Sequence, residues 1–310
     1  MKFIAATDFH ISLLNPVSRK DSYFEEIIAS LEYVLDYADS VDATAVLLAG
    51  DFFDKPVQCG TVMRTVIETL LKHKTRIITT VGQHDTNGHN PSLYRIKSLG
   101  ILEAAGCIEV LISGEAKIFE NVVVRGFAFN EVETEEFLNG TEDFIMEDDK
   151  TYLAVVHAQV GPDDCMGWAG ISHQRIRTAD LTIFGDIHRG FGIHEFPSGC
   201  RAIGPGSMGR RSTSDIGRPQ QFLEITIDNQ GDISVEHMQV PTLPDSELFD
   251  DLKIDDNAED TADIFKQEWE KSFKAQDETP VQRVRRIGKA FDHSEEEIGM
   301  VLEHLPQEVM

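Results

Sequence analysis

Apolar and polar positions follow two distinct periods along the first hundred residues. Residues 2–7, 43–51 and 76–82 are nearly continuous apolar runs of strand length, bounded by polar or turn-forming residues. Between them, residues 22–38 and 60–72 place apolar side chains at every third or fourth position, which predicts two amphipathic helices. Buried strands separated by helices are typical of a sheet that is covered on both faces.

Helix starts are marked by capping residues. Ser22, with Glu25 three residues later, suits a capping box at the start of the first helix. Asn90 and Pro91 suit the N-cap and the first position of a helix after the third strand.

The second half of the chain has shorter strands and tighter connections. Apolar runs at 121–129 and 151–158 flank an acidic stretch at 130–150, which we expect to be a loop. Further short strands are predicted at 179–188, 190–196, 200–206, 221–228 and 233–240. A βαβα half followed by a β-rich half predicts an α/β fold in which two sheets form a β-sandwich flanked by helices. The sheet domain, 1–240, should end near Val240.

The last seventy residues have a different composition. Residues 241–262 are acidic and read as a solvated linker. Residues 263–310 predict a helical segment whose apolar positions include Phe265, Trp269 and Phe273 in one helix and Val284, Ile287 and Phe291 in the next. Amphipathic spacing alone leaves open whether these helices pack on one another or bind a partner.

Charge restricts the classes of partner. The 310 residues carry 28 basic and 54 acidic side chains, a net charge of −26. Such acidity argues against loose electrostatic adhesion to nucleic acid or to an anionic membrane. It does not exclude a nucleic-acid enzyme, because a metal site rich in carboxylates is acidic until its cations bind.

Cysteine usage and hydropathy indicate a cytoplasmic protein. The four cysteines lie far apart without a CxxC pair, which favours reduced thiols over a disulfide framework or a zinc knuckle. No apolar run approaches the roughly 20 residues that cross a bilayer, and the N-terminus has no signal-peptide pattern. We therefore expect no membrane association.

Polar side chains of metal-binding type follow five of the apolar runs. They are Asp8 and His10, then Asp51, then Gln83, His84 and Asp85, then His157, and finally Asp186 and His188. The carboxyl ends of strands form the ligand crevice of an α/β sheet. Residues two apart on a strand point the same way, which should align Asp8 with His10 and Asp186 with His188. Any one of them could be a cap or a buried polar group, but five coincidences favour a metal centre.

The donor types restrict the metal. Imidazole and carboxylate ligands without thiolate favour Mn²⁺, Fe²⁺ or Zn²⁺ over Ca²⁺. About seven donor groups exceed the need of one ion, whereas two divalent cations sharing one carboxylate fit the number.

The order of these residues resembles the motif set of the calcineurin-like metallophosphoesterases over residues 1–240. The matching pieces are "DFH", "GD", "GQHD", "H" within "VVHAQ", and "GDIH". The resemblance implies a first cation held by Asp8, His10 and His188, a second held by Gln83, His157 and Asp186, and Asp51 bridging both. It implies that His84 protonates the leaving oxygen or steadies the phosphate, and that Asp85 orients the His84 ring. Gly82 would let the backbone turn there.

The chain departs from the family pattern at two positions. The family usually has Asn where Gln83 stands and His where Asp186 stands. Gln offers the same amide oxygen one methylene further out, and Asp replaces a neutral nitrogen with an anionic oxygen. Both changes fall on the second cation, so that site should be weaker, or selective for Mn²⁺ or Mg²⁺.

Within the family, the chain is most similar to the SbcD-type DNA repair nucleases of bacteria and phages. The supporting pieces are "GDFFDKP", "GPGSMGRRS" and "FLEITIDNQGDISVEHM". The resemblance implies a Mn²⁺-dependent exonuclease on double-stranded DNA ends and an endonuclease on single strands. It also implies an SbcC-like coiled-coil ATPase partner, bound through the C-terminal helices, and action in the bacterial or host cytoplasm.

Several alternatives stay open at this point. Arg189, Arg210 and Arg211 either contact DNA phosphates or solubilise the surface. A phosphomonoesterase or cyclic-nucleotide phosphodiesterase would use the same cations. A non-catalytic subunit that binds DNA ends or an ATPase could have a degenerate second site. The sequence also leaves a homodimer open.

Overall fold

The computed structural model describes residues 1–87, 90–161, 176–196 and 198–249. Met1–Asp251 form one compact unit. The expected helical segment at 263–310 and residues 250–262 of the expected linker lie outside the described residues. No helix within the described ranges is long and apolar enough to cross a membrane.

The described chain contains twelve strands and five α-helices. The strands are β1 (Lys2–Ala6), β2 (Ala45–Leu48), β3 (Ile77–Thr79), β4 (Glu109–Val110), β5 (Ala116–Phe119), β6 (Val122–Phe127), β7 (Thr151–His157), β8 (Leu181–Gly185), β9 (Phe191–Glu195), β10 (Arg201–Gly204), β11 (Gln221–Ile227) and β12 (Ile233–Gln239). The helices are α1 (Tyr23–Ser40), α2 (Gly60–Leu70), α3 (Ser98–Ala104), α4 (Val132–Asn139) and α5 (Asp245–Leu248). Short 3₁₀ helices lie at Gln83–Asp85, Pro91–Ile96 and Thr213–Asp215.

The strands form two mixed sheets of six strands each. The first has the order β12-β11-β1-β2-β3-β4, and the second β5-β6-β7-β8-β10-β9. Strands β1 to β4 run parallel, as do β6, β7, β8 and β10, whereas β11, β12, β5 and β9 add antiparallel pairs at the edges. Parallel strands bring their carboxyl ends to one edge of each sheet.

Three apolar layers hold these elements together. The central layer lies between the sheets and includes Phe3, Leu47, Val155 and Leu223, each at most 1% exposed. A second layer packs α1, α2 and α3 against the first sheet, and a third covers the second sheet. Because the central strands of both sheets are buried on both faces, they are the continuous apolar runs seen in the sequence, whereas the edge strands β5, β9 and β12 are largely exposed. The predicted two-sheet α/β fold is confirmed.

The acidic stretch at 130–150 is not entirely a loop, because it contains α4. Phe137 is buried and stacks on Phe127 with ring centroids 4.2 Å apart. The helix ends at Gly140, which has a φ of 62° and so takes the left-handed conformation that glycine accepts. Packing against the second sheet therefore stabilises a helix that the local acidic composition did not predict.

The beginning of the expected linker is ordered. Leu248 is 0% exposed and Phe249 is 2% exposed. The Arg210 guanidinium lies 5.4 Å from the Phe249 ring and forms an ion pair with Asp245. Leu248 and Phe249 therefore pack into the compact domain beyond Val240, whereas residues 241–244, at the start of the expected linker, are exposed.

Candidate metal centre

Turns beyond the strand ends, rather than the strands themselves, carry most of the predicted ligands. Asp8, His10 and Asp51 follow β1 and β2 with φ angles of 51°, 48° and 48°, and Asp186 follows β8 with a φ of 82°. Left-handed backbone at a non-glycine residue costs about 1–3 kcal/mol and persists where the surrounding structure enforces it. Neither His–Asp pair lies on a strand, so alternation along a strand does not align them. Asp8 and His10 still meet through their turn, whereas Asp186 and His188 face different ligand groups.

The first predicted ligand group is assembled. Asp8, His10 and His188 each bring one donor atom within 4.8 Å of the others. The Nε2 atoms of His10 and His188 lie 3.1 Å apart, and each lies 3.8 Å from Asp8 Oδ1. Asp8 and His10 are buried, whereas the His188 side chain is 45% exposed. This group therefore opens to solvent on one side.

The second predicted group also converges. His157 Nε2 lies 3.0 Å from Gln83 Oε1 and 3.9 Å from Asp186 Oδ1. Gln83 Nε2 donates to Asp186 Oδ1 at 2.6 Å. His157 is fully buried, and its Nδ1 faces the Ala49 carbonyl oxygen at 2.6 Å, so Nδ1 carries a hydrogen and donates.

Asp51 lies between the two groups, as the resemblance implied for a bridging ligand. Among the described residues, its Oδ2 has no hydrogen-bond partner; it is buried and lies 3.8 Å from His10 Nε2 and 3.5 Å from His157 Nε2. Its Oδ1 accepts the backbone N–H of His84 at 2.8 Å. An unpartnered buried carboxylate oxygen is costly in a folded protein. A bound cation would remove that cost.

These donors suit two divalent cations. Ligands about 2.1 Å from an octahedral ion lie roughly 3.0 to 4.2 Å from each other, and the separations within each group, 3.0 to 3.9 Å, fall in that range. Two acceptors, Gln83 Oε1 and the lone pair of neutral His157 Nε2, face each other, which requires a proton or a cation between them. Three carboxylates, from Asp8, Asp51 and Asp186, would balance most of the charge of two divalent ions.

The electrostatics of the donor cluster reflect its crowding. Burial, together with the neighbouring Asp51, raises the pKa of Asp8 to about 7. Burial acts the same way on Asp51, but the charges of His157, His10 and His84 outweigh it and hold the pKa of Asp51 well below its usual range. His157 responds in the opposite sense, since the surrounding carboxylates outweigh its burial and raise its pKa. Burial lowers the pKa of both His10 and His188.

Two glycines make room for this cluster. A Cβ on Gly82 would collide with the Asp51 carboxylate, and one on Gly50 would collide with the His157 ring. Gly82 has an extended backbone, with φ −94° and ψ 175°. The expectation that Gly82 serves a turn is therefore wrong, because its role is to let Asp51 approach closely. Gly50 does adopt a left-handed φ of 86°.

His84 lies beside the two ligand groups with its ring half accessible. Its side chain is 39% exposed, its Nε2 lies 4.0 Å from Asp51 Oδ2, and its Nδ1 donates to the Asp54 carbonyl oxygen at 2.9 Å. The expectation that Asp85 orients this ring is wrong. The buried Asp85 carboxylate accepts the backbone N–H groups of Phe52, Phe53 and Gly82, so it orders the two loops instead.

Asp54 is the residue that the sequence reasoning missed. Besides holding the His84 ring through its carbonyl oxygen, its carboxylate forms an ion pair with Arg211 at 2.5 Å. The signal was present in "GDFFDKP", where a second aspartate follows Asp51 by three residues. Its partner could not be read from spacing, since His84 lies 30 positions later.

The three arginines suggested as DNA contacts have different surroundings. Arg210 is 4% exposed and is held by Asp245 and the Asp215 carbonyl, so its interpretation as a phosphate contact is wrong. Arg211 is partly exposed and is engaged by Asp54. Arg189 is exposed directly after His188 and is the one of the three whose position suits a contact beside the cluster.

Comparison with known proteins agrees with this geometry. A model of the calcineurin-like phosphoesterase family matches residues 1–190, and the chain belongs to that family. The chain thus has the fold and ligand groups of metal-dependent phosphoester hydrolases, which use two divalent metals. No curated protein matches it.

The chain is also similar, at low identity, to solved structures. One is a dimetal phosphatase from Danio rerio, at 12% identity, covering 73% of this chain and 92% of that chain with a TM-score of 0.47. Another is an uncharacterized predicted phosphoesterase from Streptococcus pneumoniae, at 10% identity, covering 77% of this chain and 98% of that chain with a TM-score of 0.34.

Proposed function

We propose that this protein is a metal-dependent DNA phosphodiesterase. The proposal of phosphoester hydrolysis is supported by one observation, the convergence of metal-binding side chains beside the half-exposed His84. These side chains are Asp8, His10, Asp51, His157 and His188. The DNA part rests on the sequence resemblance to SbcD-type nucleases. We propose Mn²⁺ as the physiological cation, with Mg²⁺ as the alternative.

Cations held at the two groups would supply Lewis-acid stabilisation of the phosphate charge and activation of the attacking water. The residues Asp8, His10 and His188 would hold one, Gln83, His157 and Asp186 the other, and Asp51 both. The buried carboxylates keep these donors fixed, while the exposed edges of His84 and His188 leave the phosphate a route of approach.

His84 provides the proton for the departing oxygen. Its Nδ1 faces the Asp54 carbonyl oxygen and therefore carries a hydrogen whether the ring is neutral or charged. Nε2 is the position at which the ring gains and gives up its second proton, and it faces Asp51 and the donor cluster. General acid catalysis of this kind contributes about 10²–10⁴-fold to a rate.

The surface position of these groups suits a polymeric substrate. His188 and the adjacent Arg189 are both exposed, so a DNA backbone could lie across the donor cluster without entering a closed cavity. The strongly acidic remainder of the chain makes sequence-independent adhesion weak. We therefore propose that efficient cutting requires a second protein that supplies DNA affinity.

That partner is proposed to be an SbcC-like coiled-coil ATPase, bound through the apolar positions predicted in 263–310. This proposal comes from the sequence, as those residues lie outside the described part of the chain. Co-expression of the full chain with candidate coiled-coil ATPases, followed by co-purification, tests it. Retention of the partner after Trp269→Ala and Phe273→Ala would contradict it, provided that the variant domain still melts like wild type.

A substrate panel tests the catalytic proposal. The full chain, purified free of metal and then supplied with millimolar Mn²⁺, is assayed against linear duplex DNA, single-stranded DNA, p-nitrophenyl phosphate and cyclic nucleotides. We expect cleavage of the DNA substrates at rates at least about tenfold above those of the small esters. Faster turnover of the monoester or the cyclic nucleotide would assign the site to the corresponding small-molecule hydrolase.

The His84→Ala variant, purified in the same way, is the control for a contaminating nuclease, and we expect it not to cleave DNA. The same preparation should retain both cations. A variant that cuts DNA at the wild-type rate would show that the observed nuclease is a contaminant or that His84 is outside the reaction. Tight binding of cations without cleavage of any substrate would favour the non-catalytic alternative.

A further inference from the structure

Gln83 and Asp186 contact each other across the second ligand group. Gln83 Nε2 donates to Asp186 Oδ1 at 2.6 Å, while Gln83 Oε1 lies 3.0 Å from His157 Nε2. The two residues are 103 positions apart, and they reach one another from the carboxyl ends of strands in different sheets. These are also the two positions at which the chain departs from the Asn and His of the family pattern.

The Asp186 carboxylate determines which end of the Gln83 amide faces the cluster. The two ends of an amide have nearly the same shape, but one donates hydrogen bonds and the other accepts them. An ionised carboxylate only accepts, so it selects the Nε2 end and leaves Oε1 toward His157. A neutral imidazole at position 186 could present either a donor or an acceptor, depending on its tautomer, and would not fix the choice.

Glutamine needs such a partner more than asparagine does. Its extra methylene adds one rotatable bond between the backbone and the amide, so more side-chain conformations must be excluded to hold Oε1 in place. The close Asp186 contact excludes those in which Nε2 turns away. The long amide and the carboxylate therefore compensate for each other.

Asp186 is itself held by the first ligand group. Its backbone N–H donates to both carboxylate oxygens of Asp8, at 3.1 and 3.3 Å, and its side chain is 7% exposed. Its backbone has a left-handed φ of 82°. Asp186 thus connects Asp8 in one group with Gln83 in the other.

We propose that Gln83 and Asp186 act as one unit in the second cation site, with Asp186 positioning the Gln83 amide so that Oε1 faces the cation. Besides offering a carboxylate to the second cation, Asp186 is a positioning residue, and the larger part of its effect on cation binding passes through Gln83. The inference depends on the two-cation centre of the proposed function, but it does not depend on DNA being the substrate.

A double-mutant cycle on the full chain tests this coupling. Mn²⁺ binding is measured by titration calorimetry for wild type, Gln83→Ala, Asp186→Ala and the double variant. We expect each single change to weaken binding of the second Mn²⁺ by about 10–100-fold, the usual range for residues that orient a ligand. The double variant should bind the second Mn²⁺ no more than about threefold more weakly than the single variant with the lower affinity, because the effects of coupled residues do not add.

Asp186→Asn separates positioning from direct charge. Asn keeps an oxygen that can accept the Gln83 N–H but has no negative charge. If positioning dominates, Asp186→Asn retains second-site affinity within about fivefold of wild type. The electron paramagnetic resonance signal of magnetically coupled Mn²⁺ pairs should then persist in Asp186→Asn and disappear in Asp186→Ala at the same metal concentration.

Several results would overturn the inference. One is a double variant whose loss equals the product of the single losses, which would make Gln83 and Asp186 independent ligands. Another is Asp186→Asn binding as weakly as Asp186→Ala, and a third is a wild-type chain that binds only one Mn²⁺. Wild type with two coupled Mn²⁺ but no action on DNA would leave this inference standing and contradict the proposed substrate instead. Unchanged first-site affinity and unchanged melting curves verify that the variants fold.

Discussion

The two halves of the metal centre share Asp51 but are built in different ways. In the first half, the imidazoles of His10 and His188 approach to 3.1 Å, and Asp8 and His10 themselves have left-handed backbone. In the second half, Gln83, His157 and Asp186 are connected by side-chain contacts, including a 2.6 Å hydrogen bond between two of them. The first half therefore depends on backbone geometry, and the second on an amide that a neighbour must hold.

This difference indicates where substitutions should be tolerated. A ligand fixed by its turn keeps its position when a neighbouring side chain changes. A ligand fixed by a hydrogen bond does not, so changes near the second half should reduce cation occupancy first. The largest effect is expected at Asp51, because both halves of the centre need its carboxylate.

Asp51→Asn should have the largest effect. Asp51 Oδ2 lies 3.8 Å from His10 Nε2 and 3.5 Å from His157 Nε2, so its negative charge is shared by both ligand groups. Loss of that charge should weaken the binding of both cations by at least about 100-fold and reduce the rate of hydrolysis by more than about 1,000-fold. Calorimetry with Mn²⁺ and a cleavage assay measure the two losses. Retention of either cation at wild-type affinity would show that the halves do not share this carboxylate.

His84→Ala should remove chemistry without removing cations. We expect a fall in kcat of about 10²–10⁴-fold with both Mn²⁺ affinities within about threefold of wild type, because we propose His84 as the proton donor, although its ring also lies within 4.8 Å of donors on His10 and Asp51. Asp85→Asn is a useful contrast, since Asp85 orders loops through three backbone N–H groups. The Asp85→Asn variant should have a lower melting temperature than wild type, whereas the His84→Ala variant should not. A loss of bound metal in His84→Ala would make this residue a ligand.

Gly82→Ala should displace the Asp51 carboxylate that both halves share. The new Cβ would meet the Asp51 carboxylate, so we expect weaker binding of both cations, by about 10–100-fold, and a lower melting temperature. Gly60→Ala is the matched control, because nothing lies within 4 Å of a Cβ at that position in α2. Wild-type cation binding by Gly82→Ala would contradict the close approach on which the bridge depends.

Cation binding should become tighter as the pH rises. In the metal-free protein, the pKa of Asp8 is raised from 3.8 to about 7, so the folded state holds this proton more strongly than the unfolded chain. This group therefore costs stability progressively as pH rises from about 4 to about 7. Because a cation displaces this proton and that of His157, whose pKa is also raised, the melting-temperature shift produced by Mn²⁺ should keep growing from pH 5 through pH 7. Asp8→Asn should flatten that profile, and an unchanged profile in this variant would assign the proton to another group.

Arg189→Ala should have the smallest effect, and it concerns the exposed side of the first half. Loss of one phosphate contact should weaken DNA binding by about three- to tenfold and reduce its salt dependence by about one unit of slope. Arg64→Ala is the control, since Arg64 is equally charged, 74% exposed and located on α2. Equal effects of the two variants would mean that only net charge matters.

Much of the fold was predictable from the sequence because local patterns determine it. The continuous apolar runs became strands, and the amphipathic stretches at 22–38 and 60–72 became α1 and α2, since burial on one or both faces imposes those periods. The helix α4 was missed, because its stability comes from packing such as Phe137 on Phe127 rather than from its acidic composition.

The candidate site was predictable in its donor types and only partly in its contacts. Asp8, His10, Asp51, His157 and His188 meet as the strand-end positions indicated. The partner of His84 is Asp54 rather than the adjacent Asp85, and Arg210 is a buried structural residue. Adjacency in the chain does not predict these contacts: Asp85 follows His84 directly but does not hold its ring.

The alternation of strands and helices, the chemical types of the donors and their positions at strand ends follow from local sequence patterns. Those properties are encoded in side-chain polarity and in the period at which it repeats. The contacts between donors, as in the Gln83–Asp186 pair, the turns with left-handed backbone and the need for a glycine at position 82 arise from the folded chain. Hydrogen-bond partners and close approaches are set by segments far apart in the chain, so no local pattern records them.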